Sequence, residues 1–390
     1  MLAPPRPAAA RRPRRLPAAV AAILDTPIRE LRLAIAGSPL ERPIARLYRE
    51  LRRGGLERFQ PRCYLTDEWG CPSGEPIVGV PFYLADRRLS WLERELNDLE
   101  NQREVMMYLR HEAGHAFNYA YRLHRTPEWR ALFGPFRRPY RDHYRPVAFS
   151  REYVRHIAGW YAQKHPDEDF AETFAVWLTP SSRWREKYRT WGALRKLEYM
   201  DRIARQVGAV EPLRRRGRSD ITADEMEMTV AEYFVRSADD APPPAAEPPG
   251  GADAAAARAA ASARLRELLS ARVAPSPPLP TGALALDADL ADIFNVSPRR
   301  RGARPAAALL GAHRKALTDK VTYWTGVQRP AVKKLLQSME QRLAELGLAA
   351  DAGREAEHLA ELAAYATALA LAQLARGAPP RDGRGAGAVR

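Results

Sequence analysis

Two histidines four residues apart, His111 and His115, with Glu112 between them, constrain this chain more than any other feature. On an α-helix, residues four apart lie on one face, so both imidazoles can reach a single metal ion. Glu112 projects from the adjoining position, where it can hold a water beside that ion and take its proton. The flanking residues support a helix, because Val105, Met106, Leu109, Ala113 and Phe117 recur at helical spacing. Gly114 interrupts that helix at a cost of about 1 kcal/mol relative to Ala. It makes sense where a second backbone must come close. A catalytic zinc needs three protein ligands and one open position, so the fold must bring a third donor to this helix from elsewhere.

The usual close-range donors are missing. A metzincin continuation requires Gly and His where Asn118 and Tyr121 stand, and His124 lies too far along for a tight turn to return it. The remaining layout takes a glutamate from a second helix, and one is legible from Pro166 to Leu178. Pro166 suits the first helical position, and Asp167, Glu168 and Asp169 suit a first turn where the helix dipole is positive. Phe170, Phe174, Trp177 and Leu178 form an apolar stripe, with Glu168 and Glu172 sharing a face beside it. Two carboxylates turned toward a core need a cation or a hydrogen-bond donor. A zinc ion would serve one and a ligating imidazole N–H the other. The residues alone do not say which is which. An acidic cluster that caps the helix and faces water is the alternative; it suits Asp167 and Asp169, and suits Glu172 less well.

Taken together, His-Glu-Ala-Gly-His and the later Tyr161-x6-Glu168-x-Phe-Ala-Glu172-x-Phe resemble the bacterial zinc-binding metallopeptidases of the gluzincin type. A more distant likeness is to the catalytic domain of anthrax lethal factor. The resemblance covers about residues 60 to 235. It implies one zinc per chain held by His111, His115 and Glu168, with Glu172 accepting a hydrogen bond from the first histidine. It also implies that Tyr161 helps stabilise an oxyanion and that Glu112 acts as general base in hydrolysing a peptide or related amide bond. Relatives often carry an N-terminal cysteine-rich zinc ribbon. This chain has only Cys63 and Cys71, which touches no catalytic residue but leaves recruitment unread.

The expected architecture is α+β: a zincin-like domain over 20–237, a Pro/Ala/Gly linker over 238–253, and an all-α domain over 254–377. Disordered tails are expected over 1–19, which is basic, and 378–390. In the first domain, the segment Glu75 to Leu84 reads as a strand, with Pro81 marking an edge. An edge near Ile77–Leu84, ahead of the motif helix, is where an extended peptide or protein substrate could align by strand addition. The aromatic segment 125–160, with Trp129, Phe133, Phe136, Tyr140 and Tyr144, either lines a cleft or packs the connection. His143 and His156 read as structural, and His165 as a cap for the second helix. The helical domain shows no catalytic motif and suits dimerisation or partner binding.

A net charge of +15, with Arg11–Arg15 and Arg214–Arg218 as basic runs, raises nucleic acid as a partner. No nucleic-acid-binding motif accompanies those runs, so a solvated basic surface is the simpler reading. A non-catalytic metal-binding scaffold, or a polyanion-associated protein on a zincin fold, is the alternative function. Two cysteines indicate no disulfide framework, although one local bridge would suit an exported form. Arginines precede a short apolar stretch at 16–24, but no small-x-small cleavage site follows and no run is long enough to span a membrane. A cytoplasmic location is the expectation.

Overall fold

The motif helix runs Gln102–Ala120, and a capping box fixes its start. The Asn101 side chain accepts from the Arg103 and Glu104 N–H groups, while the Glu104 carboxylate accepts from the Asn101 N–H. The computed structural model describes residues 16–238 apart from 98, 141–143, 145 and 148, together with 252–270, 283–294 and 302–376. From Leu109 to Ala120 every residue of the motif helix is buried, so its one cation there needs a partner. Arg110 finds it in Glu50 of the helix Glu41–Arg53, donating to both carboxylate oxygens at 2.8 and 2.9 Å.

The second expected helix spans Pro166–Leu178, with Pro166 at its first position and His165 as N-cap. His165 Nδ1 accepts from the Asp167 N–H at 3.1 Å. Phe170 and Phe174 are fully buried, with ring centroids 6.5 and 5.2 Å from that of Phe117 on the motif helix. Gly114 explains how close the two helices come. A Cβ at that position would lie 2.9 Å from Ala171 Cα and 3.0 Å from its carbonyl oxygen.

A small sheet packs beside the motif helix. Its strands β1 (Arg62–Thr66) and β2 (Ile77–Pro81) are parallel, with Tyr64 opposite Gly79. The strand expected from Glu75 to Leu84 is shorter than anticipated, because the chain turns into a 3-10 helix at Phe82–Ala85. The open edge expected there is also corrected. The Gly79 N–H and C=O exchange hydrogen bonds with Gly70 at 2.7 and 3.3 Å, and the Ile77 N–H donates to Glu75 O at 2.9 Å. Pro81 has no N–H to offer. The chain thus covers its own edge.

Part of the second basic run serves this fold. The Arg214 guanidinium donates to Gly74 O at 2.7 Å and to Glu75 Oε1 at 2.6 Å, and the Arg214 backbone N–H donates to Ala120 O at the end of the motif helix at 3.0 Å. Arg11–Arg15 lies outside the described residues. Both cysteines are free thiols: Cys71 donates to Glu75 O at 3.1 Å, and Cys63 lies 3.7 Å from the Tyr48 hydroxyl.

By internal contacts the chain forms two units. The first holds 1–144, 151–156 and 162–274, and the second holds 145–150, 157–161 and 275–390. The first unit extends past the expected boundary. Helix Ala252–Ser270, which the sequence reading placed in the helical domain, buries Leu265 in the core of the first unit and hydrogen-bonds Asp25 through Ser262. Most of the expected linker, 239–251, lies outside the described residues, as do the expected tail 378–390 and His143.

The second unit packs helices Ala283–Ile293, Ala306–Thr325, Arg329–Glu345 and Glu355–Arg376 around Leu310, Leu336, Met339 and Leu362. It is not purely helical. Strands β3 (Ala303–Pro305) and β4 (Ala349–Asp351) form an antiparallel pair. Buried His358 ties β4 to the helices, because its Nε2 accepts from the Asp351 N–H at 3.3 Å and its Nδ1 donates to Ile293 O at 3.1 Å. The described residues are mostly helical, with little sheet among them. Among the described residues no helix is long and apolar enough to cross a membrane.

Candidate metal centre

The closely packed helix pair sets the site. His111 Nε2 and His115 Nε2 face each other at 3.2 Å, and Glu168 Oε2 lies 3.0 Å from the first and 3.2 Å from the second. These three atoms lie within 4.8 Å of one another, and all three residues are buried. The other nitrogen of each ring is already committed. His111 Nδ1 lies 3.0 Å from Glu172 Oε1, and His115 Nδ1 lies 2.9 Å from Asp167 Oδ2. With a proton on each Nδ1, both Nε2 atoms direct lone pairs at the point where Glu168 Oε2 directs its own.

Charge makes the same demand. Four carboxylates, Glu112, Asp167, Glu168 and Glu172, are buried around two imidazoles, and buried anions without a counter-charge cost several kcal/mol each, as an order of magnitude. Burial opposes a charged His111, but its hydrogen bonds to Glu168 and Glu172 outweigh that and lift it to about 9. Burial opposes a charged His115 as well, yet Asp167 and Glu168 raise it well above its ordinary value. Glu168 is driven up by burial and pulled down further by His115 and His111, ending well below the usual carboxylate range. The centre is built for positive charge. A divalent cation meets there two imidazole nitrogens and one carboxylate oxygen, a donor set that suits zinc with a fourth position open.

Glu112 stands apart from this network. It is buried and makes no hydrogen bond to another described residue, and burial pushes its carboxyl up. It is therefore not spent on holding the fold.

The acidic first turn does not face water. Asp167, Glu168 and Asp169 are all buried. Asp167 also accepts from Asn118 Nδ2 at 2.7 Å and from the Tyr119 hydroxyl at 2.5 Å, which fixes it for His115. Asp169 pairs with buried Lys196 at 2.6 Å, and burial still pushes it up to about 7. The partnership of Asp167 with His115 leaves no mark in the sequence, because a first-turn aspartate looks the same whether it caps a helix or supports an imidazole. The second oxygen of Glu172 accepts from the His156 N–H at 3.2 Å, while His156 Nε2 lies 3.1 Å from Met107 O. His156 is thus bonded within the fold through both its backbone and its ring.

The aromatic segment divides. Trp129 and Phe133 are buried and pack on Phe170, with ring centroids 6.0 and 5.3 Å away. Tyr140 instead reaches the site, its hydroxyl donating to Glu168 Oε1 at 2.6 Å. The aromatic pattern left open whether this residue lines a cleft or packs the connection, and gave no sign of its bond to Glu168. Tyr161 is half-buried in the single 3-10 turn Tyr161–Gln163 and groups with the second unit, while Ala162 onward belongs to the first.

Residues 88–196, which include both site helices, match the family model described as "Putative zinc-binding metallo-peptidase". The match falls on the stretch that carries the motif resemblance. No curated protein and no solved structure matches this chain.

Proposed function

We propose that this chain is a zinc-dependent metallopeptidase, hydrolysing peptide or related amide bonds at the centre formed by His111, His115 and Glu168. One observation carries the proposal: two Nε2 atoms and one carboxylate oxygen converge while both Nδ1 atoms are already held by Glu172 and Asp167. The family match over both helices supports it. Zinc at this position would polarise a substrate carbonyl and a water, making that water acidic near neutral pH.

The remaining work belongs to the protein. Glu172 and Asp167 hold the two rings with Nε2 toward the ion. Glu112 takes a proton from the attacking water as its oxygen bonds the carbonyl carbon, then delivers that proton to the leaving nitrogen as the C–N bond breaks. Tyr161 is the proposed donor to the oxyanion that develops on the carbonyl oxygen. The architecture that suits these roles is a zincin-like domain, with lethal-factor-like enzymes as the distant likeness. A cytoplasmic setting is part of the same proposal.

A non-catalytic scaffold needs no unbonded Glu112 beside its metal, and the tests separate the two readings. Elemental analysis should find one zinc per chain in the wild type and much less in His115→Ala. Glu112→Gln should keep the zinc and lose cleavage in an unbiased peptide-library digest. Undiminished zinc in His115→Ala would remove the site, and full activity in Glu112→Gln would remove the general base.

A further inference from the structure

We infer that Tyr140 is a positioning residue for the metal centre, holding Glu168 so that a single carboxylate oxygen is presented to the ion. The inference rests on the zinc reading above and assigns a role to a residue outside the motifs.

The geometry divides the Glu168 carboxylate between two tasks. Oε2 faces both ligating nitrogens, at 3.0 and 3.2 Å, while Oε1 accepts from the Tyr140 hydroxyl at 2.6 Å. A carboxylate with both oxygens free can rotate to bind a cation through both. With Oε1 engaged by a phenol, that rotation breaks a short, charge-assisted hydrogen bond. Binding through one oxygen keeps the fourth position open for water and substrate.

Tyr140 is held for this task although the residue is exposed, at 51%. His165, the N-cap of the ligand helix, also bonds Arg138 O through Nε2 at 2.8 Å. One imidazole thus fastens the backbone two residues before Tyr140 to the turn that carries Glu168. The two rings lie 5.4 Å apart, and Lys164 Nζ sits 4.3 Å over the Tyr140 ring. The phenol, its tether and the ligand form one assembly at the start of the acidic helix.

Substituting cobalt(II) for zinc gives a readout independent of turnover, because its visible spectrum reports coordination number. Tyr140→Phe should fold as the wild type does and bind one cobalt. Its visible bands should weaken as Glu168 becomes bidentate, and zinc affinity should fall by about 10-fold, the lower end for an outer partner. His165→Asn keeps a capping side chain but loses the bond to Arg138 O. It should change the spectrum in the same direction.

A cobalt spectrum and zinc affinity in Tyr140→Phe that match the wild type would overturn the assignment. So would a Tyr140→Phe protein that changes only in thermal stability. Failure of the wild type to bind cobalt or zinc at all would instead overturn the metal reading itself, so the two failures are distinguishable.

Discussion

At the scale of single residues, the carboxylates of the acidic helix have separable roles that zinc titration can rank. Glu168→Ala should strip the ion, because it removes a proposed ligand. Glu172→Ala and Asp167→Ala each remove the partner of one ring and should weaken affinity by about 10–100-fold. Equal losses in all three would undo the division of roles. A second prediction concerns pH. In the metal-free protein His111 sits at about 9, against an ordinary 6.5. The folded state then binds this proton more tightly than the unfolded chain. The resulting stabilisation is complete below the lower value and lost as pH rises through the higher one. Thermal melts in chelator should therefore fall across that window. Melts in saturating zinc should not, because the ion replaces the proton on both rings. A flat profile in chelator would contradict the charge balance described for the centre.

At the scale of elements, the helix pair depends on one missing side chain. In Gly114→Ala the added methyl would meet Ala171 backbone atoms at 2.9 and 3.0 Å, and backbone cannot swing aside as a side chain can. The helices must part, at about 1–3 kcal/mol for overpacking, which outweighs the helix propensity gained. Thermal melting and zinc titration should both worsen, and a variant equal to the wild type in both would show the contact to be slack. Gly114 was also legible in the sequence, as were the two helices, because periodicity, Pro166 and the paired glutamates are local signals. The course of β2 was less legible. Its outer edge is closed by Gly70, and a pairing partner outside the strand leaves no mark on the strand itself. Helix Ala252–Ser270 was assigned to the wrong unit for a related reason. Its run of alanines presents no apolar stripe, and what ties it to the first core is Leu265, with Ala261 and Leu269 packed beside it, and the Ser262 hydroxyl. Tyr140 was legible only as one of several aromatic residues that line a cleft or pack the connection, because only the tertiary fold brings it to Glu168.

At the scale of the whole molecule, the division into units can be tested by where the chain is cut. A chain ending at residue 270 should melt higher than one ending at 251, because only the shorter one exposes the surface that Leu265 covers. Equal melting temperatures would place that helix outside the first unit's cooperative fold. The unbroken burial of the motif helix from Leu109 to Ala120 has a further consequence, for time rather than for energy. Amides in such a segment exchange with solvent deuterium chiefly when the whole unit unfolds, while exposed segments exchange through small local openings. Both histidines and Glu112 should therefore ride on slowly exchanging backbone. In the proposed reaction, the breathing that admits a substrate would come from the surrounding walls, with the floor that carries the motif staying still.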